Sequence, residues 1–244
     1  MRTIAFVTQK GGAGKTTLAA SLAVAAASAG ERVIALDFDP QGSLARWGQR
    51  RGAANAPNKI LVEQFEAARL PRLGAILQRI ADAGFTLAVF DTPGADSEAV
   101  RVVAETADLC LLPARPTHLD VEATAGTFRA IYLAKRKAAF VLNQCPPTAR
   151  SVRASEAAKD LSQLGVLAEP MLSARIDYQD AVAAGLGVTE YAGEGRAARE
   201  IQGLWSWIST QFERIEPEIP ADPAEGRKVS SLRDRLAGIA RFPT

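Results

Sequence analysis

Short apolar runs alternate along the chain with longer stretches whose apolar positions return every three or four residues. The runs at 3–7, 33–36, 60–64, 86–90, 109–112, 139–143 and 166–171 are bounded by polar or turn-forming residues and predict strands. The stretches at 16–29, 70–83, 120–136 and 151–164 have helical spacing. Parallel neighbours need a crossover that lays a helix on the sheet, so this alternation predicts an α/β three-layer sandwich: a mainly parallel twisted sheet with helices on both faces. Ligands in such folds sit beyond the carboxyl ends of the strands. The residues just after each run are therefore the place to look for chemistry.

After the first run comes Lys10-Gly11-Gly12-Ala13-Gly14-Lys15-Thr16-Thr17. Three glycines in close succession let the backbone take positive φ and bring several N–H groups onto one anion. The helix that follows points its positive dipole end at the same place. Lys15 is expected to reach the β- and γ-phosphates of a nucleotide, and the Thr16 hydroxyl to supply one ligand to Mg²⁺. The ordinary phosphate-loop pattern G-x-x-x-x-G-K-[ST] asks for glycine at position 9, where this chain has Gln9 followed by Lys10. Lys10 is surplus to a simple loop, because a second ammonium beside Lys15 is repelled unless more negative charge arrives.

Two further strand ends carry carboxylates. The run at 33–36 leads into Asp37-Phe38-Asp39-Pro40-Gln41-Gly42-Ser43. Alternate positions on an extended segment point to one side, so Asp37 is expected to hold Mg²⁺ through a water while Asp39 orients or activates the attacking water. The run at 86–90 ends in Asp91-Thr92-Pro93-Gly94, in which Asp91 is expected to be a direct or water-mediated Mg²⁺ ligand and Gly94 to let the loop sense the γ-phosphate.

These segments resemble the ParA/MinD family of P-loop ATPases, whose mark is K-G-G-x-G-K-[ST]-[ST]. The resemblance implies that Lys10 crosses a dimer interface to the nucleotide of the other subunit, so that ATP binding drives homodimerisation. It covers most of residues 1–212 and includes Ser43-Leu44-x-x-Trp47 and Leu112-Pro113-x-x-Pro116. Because the chain begins at its first strand, it is most similar to the compact partition ATPases rather than to longer members with a helix-turn-helix. Asn143 stands where the family contacts adenine, and it reads equally well as a turn-capping asparagine.

The resemblance further implies DNA binding without sequence preference and a ParB-like or cargo-adaptor partner that stimulates hydrolysis. A net charge of +2 does not announce a nucleic-acid binder, so a DNA site must be a local patch. Arg175, Arg196 and Arg199 occupy places that resemble DNA-contacting segments of the family, with Lys135-Arg136-Lys137, Arg150 and Arg153 as further candidates. Each arginine taken singly reads as a solvated surface charge.

Composition adds limits. Hydrophobic content of 48% and charged content of 23% over 244 residues suit one large core. No run is long enough for a membrane span and no secretory signal is visible, so a cytoplasmic protein is expected. Cys110 and Cys145 are the only cysteines, and both follow Asp91. Nitrogenase iron proteins share the deviant loop but hold their cluster with one cysteine on each side of the corresponding aspartate, which argues against that class. His118 is the only histidine, so any Ser/His/Asp hydrolase set would have to use it, and it reads as an ordinary loop residue.

The ATPase domain is expected over residues 1–215, followed by a Pro- and acid-rich linker at 216–227 and a basic amphipathic tail at 228–244. Val229, Leu232, Leu236 and Ile239 share one helical stripe. That stripe either packs on the protein itself or, as in MinD-type relatives, rests on a membrane.

Overall fold

The structure, a computed structural model, describes residues 1–148 and 151–213. Arg150, the linker at 216–227 and the tail at 228–244 lie outside the described residues.

Among the described residues seven strands form one sheet: β1 (Arg2–Phe6), β2 (Val33–Asp37), β3 (Leu61–Gln64), β4 (Leu87–Asp91), β5 (Leu109–Ala114), β6 (Ala138–Leu142) and β7 (Val166–Leu167). Their order is β3-β2-β4-β1-β5-β6-β7, and every ladder is parallel. The helices are α1 (Lys15–Ser28), α2 (Ser43–Ala53), α3 (Leu73–Asp82), α4 (Glu98–Thr106), α5 (His118–Leu133), α6 (Val152–Leu164), α7 (Ile176–Ala183), α8 (Val188–Tyr191) and α9 (Arg196–Glu213).

Period-two alternation sends side chains of one strand to two cores. Ile4 and Phe6 pack with Leu18 and Leu22 of α1 and with Ile201, Leu204 and Ile208 of α9. Ala5 and Val7 face the opposite layer, where Leu73, Val103, Phe128 and Leu161 of α3 to α6 converge. Helix α1 is buried on nearly every side, which its run of alanines and small residues permits. Cys110 is fully buried in the second core, where desolvation pushes its thiol up to about 12.

Several boundaries differ from the expectations, each for a local reason. The last strand has two residues rather than six. Ala168 N–H donates to Phe140 O and Leu172 N–H to Leu142 O, so position 170 is where the ladder needs the next donor, and Pro170 has none. The helix expected at 70–83 begins as a 3₁₀ turn over Ala67–Arg72 that contains Pro71, and only then becomes α3. Helix α5 starts at His118, with Thr117 accepting from the Asp120 N–H at its cap, and ends before Lys135, which sits at φ 55°. Helices α2 and α4 were not among the helices read from the sequence. The latter is announced by Ser97, whose hydroxyl caps the Val100 N–H. Among the described residues no helix is long and apolar enough to cross a membrane.

Candidate nucleotide site

The ends of β1, β2 and β4 lie side by side, with Phe6 paired to Asp91 and Asp37 paired to Asp91 across the ladders. This register gathers the three motifs at one edge of the sheet. Between β1 and α1 the loop carries Gly12 at φ 75° and Gly14 at φ 93°, conformations that side-chain-bearing residues rarely adopt. A Cβ on Gly14 would stand 2.4 Å from Nδ2 of Asn143. Gly11 and Gly12 are exposed, Ala13 is buried, and Thr16 and Thr17 open the helix.

Lys15 is 7% exposed, and its ammonium donates to the carbonyls of Thr8 and Lys10 at 3.4 and 3.3 Å. Burial lowers its pKa, opposed by the charges of Asp91 and Asp39. These long contacts to neutral oxygens hold the ammonium at the mouth of the loop. Gly94 closes over it: a Cβ there would lie 3.4 Å from Gly11 Cα and 3.5 Å from Lys15 Nζ. The Thr92 hydroxyl anchors that segment to Phe6 O at 2.7 Å.

Asp91 is fully buried. Its Oδ2 accepts from the Thr16 hydroxyl at 2.6 Å, whereas Oδ1 has no hydrogen-bond partner among the described residues. Burial pushes this carboxyl up to about 7, against the lowering effect of the Thr16 hydrogen bond. A buried carboxylate oxygen without a donor is costly, and a cation beside Thr16 and Asp91 would offset that cost. The residues present therefore fit Mg²⁺. Among the described residues no group of three or more His, Cys, Asp or Glu could hold a metal unaided, as befits an ion that takes most of its ligands from phosphate and water.

Asp37 is also fully buried but well supplied: Oδ1 accepts from Asp39 N at 3.0 Å and Oδ2 from Ala45 N at 2.9 Å. Burial raises its pKa, and the backbone hydrogen bonds from Ala45, Asp39 and Leu44 oppose the rise. Its visible role is to tie the segment after β2 to the start of α2. Asp39 is half-buried, with Oδ1 accepting from Gln41 N at 2.9 Å. The side chain of Lys10 has no hydrogen-bond or ion-pair partner among the described residues.

Asn143, 6% exposed at the end of β6, donates from Nδ2 to Ala13 O at 2.8 Å. It thus caps the phosphate loop and also lines a cleft of about 320 Å³ with Thr17, Leu18, Arg175 and Tyr178. Gln144, to which no motif in the sequence points, supports the loop in the same way by donating to Gly12 O at 2.8 Å. Its only sequence cue is its place next to Asn143.

The arginines are separated in kind. Arg175 donates to Glu200 at 2.9 Å, and the same carboxylate accepts from Ser173 and Tyr178. Arg196 is exposed at the start of α9, and Arg199 is exposed while donating to Glu194 O at 2.9 Å.

The sequence profile of the VirC1 protein family matches residues 1–187. Maintenance of carboxysome distribution protein A from Gloeobacter kilaueensis is 34% identical over 87% of this chain and 94% of its own length. VirC1 from Rhizobium rhizogenes is 32% identical over 70% of this chain and 76% of its own. In three dimensions the apo form of Cyanothece McdA superposes with a TM-score of 0.71 at 16% identity, covering 85% of this chain and 99% of that one. The Pyrococcus furiosus cell division ATPase MinD does so at 0.67 and 20% identity, covering 86% and 99%. The chain belongs to the VirC1 family, within the ParA/MinD-type P-loop ATPases.

Proposed function

We propose that the chain is a Mg²⁺-dependent ATPase with slow intrinsic turnover that dimerises on binding ATP, binds DNA without sequence preference, and uses partner-stimulated hydrolysis to position a cargo. The observation that carries this reading is the pairing of the Thr16 hydroxyl with one oxygen of buried Asp91 while the other oxygen lacks a donor, beneath a loop of left-handed glycines. ATP complexes and Mg-ADP complexes occur among proteins of the same fold.

In this reading the N–H groups of residues 11–17 bind phosphate oxygens, and Lys15 leaves its two carbonyl partners for the β- and γ-phosphates. Thr16 and Asp91 would hold Mg²⁺, with Asp37 behind them through water. The ion would neutralise phosphate charge and orient the β- and γ-oxygens. Asp39 orients the attacking water and accepts its proton, so that ATP and water give ADP and phosphate. Asn143 and Thr17 border the cleft suited to the adenine base. The unpartnered Lys10 side chain is free to reach a second copy of the chain.

Cargo positioning draws on the names of relatives, which concern carboxysome distribution and chromosome partitioning. Arg196 and Arg199 supply an exposed cationic pair for DNA phosphates, whereas Arg175 lines the cleft and is paired with Glu200. The test is hydrolysis of ATP with and without Mg²⁺, beside DNA binding at fixed salt. ATP hydrolysis that needs the metal and DNA retention that needs ATP are expected. DNA retention indifferent to nucleotide would refute the coupling.

A further inference from the structure

Arg115 is the first residue beyond β5, at the end of the sheet where the phosphate loop lies. Its guanidinium is aimed by a single neighbour: Nε and Nη2 both donate to the Asp120 carboxylate. Asp120 is 2% exposed in the first turn of α5, which Thr117 caps. A two-point contact between a planar guanidinium and a carboxylate leaves little freedom to the third nitrogen. That nitrogen, Nη1, has no hydrogen-bond partner among the described residues and stands 3.9 Å from the position a Cβ would take on Gly12. Gly12 is exposed, left-handed, and adjacent to Gly11, which Gly94 approaches along with Lys15 Nζ. The loop is thus flanked by two devices, the Gly94 segment after β4 and a permanently charged donor after β5.

We propose that Arg115 contacts the terminal phosphate of the bound nucleotide, with Asp120 as its positioning residue. The assignment rests on the nucleotide reading above and adds to it a residue that distinguishes triphosphate from diphosphate. A purely structural Arg115, pinning the start of α5, would use Nε and Nη2 alone. It would leave unexplained why the remaining nitrogen is turned to the glycine loop, with the side chain 39% exposed.

The test compares the unaltered chain with Arg115→Ala, Arg115→Lys and Asp120→Asn, measuring affinity for ATPγS and for ADP by calorimetry, kcat for ATP, and thermal midpoint. Arg115→Ala is expected to lower kcat and ATPγS affinity by about tenfold or more while ADP affinity changes by less than about twofold. Arg115→Lys should recover part of the loss, because the charge is kept without the fork. Asp120→Asn should move the ATPγS-to-ADP ratio in the same direction by a smaller factor. The assignment is overturned if Arg115→Ala lowers the thermal midpoint but leaves that ratio unchanged. An unaltered chain that binds neither nucleotide would overturn the nucleotide reading and this assignment together, an outcome distinct from tight binding with an unchanged ratio.

Discussion

The phosphate loop and the arginine-bearing corner of α7 to α9 lie on either side of one cleft, yet they are built on opposite terms. At the loop, charged groups are buried and left partly unsatisfied: Asp91 keeps a bare oxygen, and Lys15 rests on two long contacts. At the corner, Arg175 and Glu200 satisfy one another, with Ser173 and Tyr178 completing the set. Unsatisfied buried charge costs stability that folding alone does not recover. The Arg175–Glu200 pair carries no such cost, which sets a candidate binding site apart from a mutually satisfied ion pair.

The contrast is broken most forcefully at Lys15. Lys15→Ala should weaken ATP binding by about a hundredfold or more, the scale of a lost charge-assisted phosphate contact, read by calorimetry. Asp39→Ala should leave ATP affinity within about threefold and reduce turnover by about a hundredfold, since only the handling of the attacking water is lost. Normal turnover in that variant would remove Asp39 from the mechanism.

On the other side of the cleft the expected effects are smaller and of a different type. Arg175→Glu sets a like charge against Glu200 and should cost roughly 1–3 kcal/mol of folding stability by denaturant titration. The Arg196→Glu and Arg199→Glu pair should leave the melt unchanged and weaken ATP-dependent DNA retention by about tenfold at fixed salt. If the two sets behaved alike, the division between brace and binding surface would fail. The smallest expected effect is at Lys10: Lys10→Ala should keep basal turnover within about twofold and lose only the acceleration by a partner protein.

How much of this was legible in the sequence follows from the same contrast. The turn between β1 and α1 was readable because closely spaced glycines announce left-handed backbone, and Asp37 and Asp91 because each closes an apolar run. The parallel sheet was readable because its central strands are almost wholly apolar and alternate with helical segments, whereas β3 at the edge is mostly exposed. Asn143 was placed correctly at the end of its strand, but its bond to Ala13 O depends on how closely β6 approaches the loop. Arg175 and Glu200 are far apart in sequence, and no local pattern announces an ion pair formed by tertiary packing. The shortened β7 was foreshadowed by Pro170, although only the ladder register shows that position 170 is where a donor was needed. No local pattern points to Arg115, because what singles it out is the one nitrogen that the Asp120 carboxylate leaves over.

In the proposed function the phosphate loop serves as a switch between single and paired chains. Its most direct test is the molar mass of the Asp39→Ala chain by light scattering with Mg²⁺ and either ATP or ADP, since this variant is expected to hold ATP without consuming it. The mass should be that of two chains with ATP and one chain with ADP, and adding Lys15→Ala should return the ATP sample to one. The same mass with both nucleotides, while ATP is demonstrably bound, would contradict the switch.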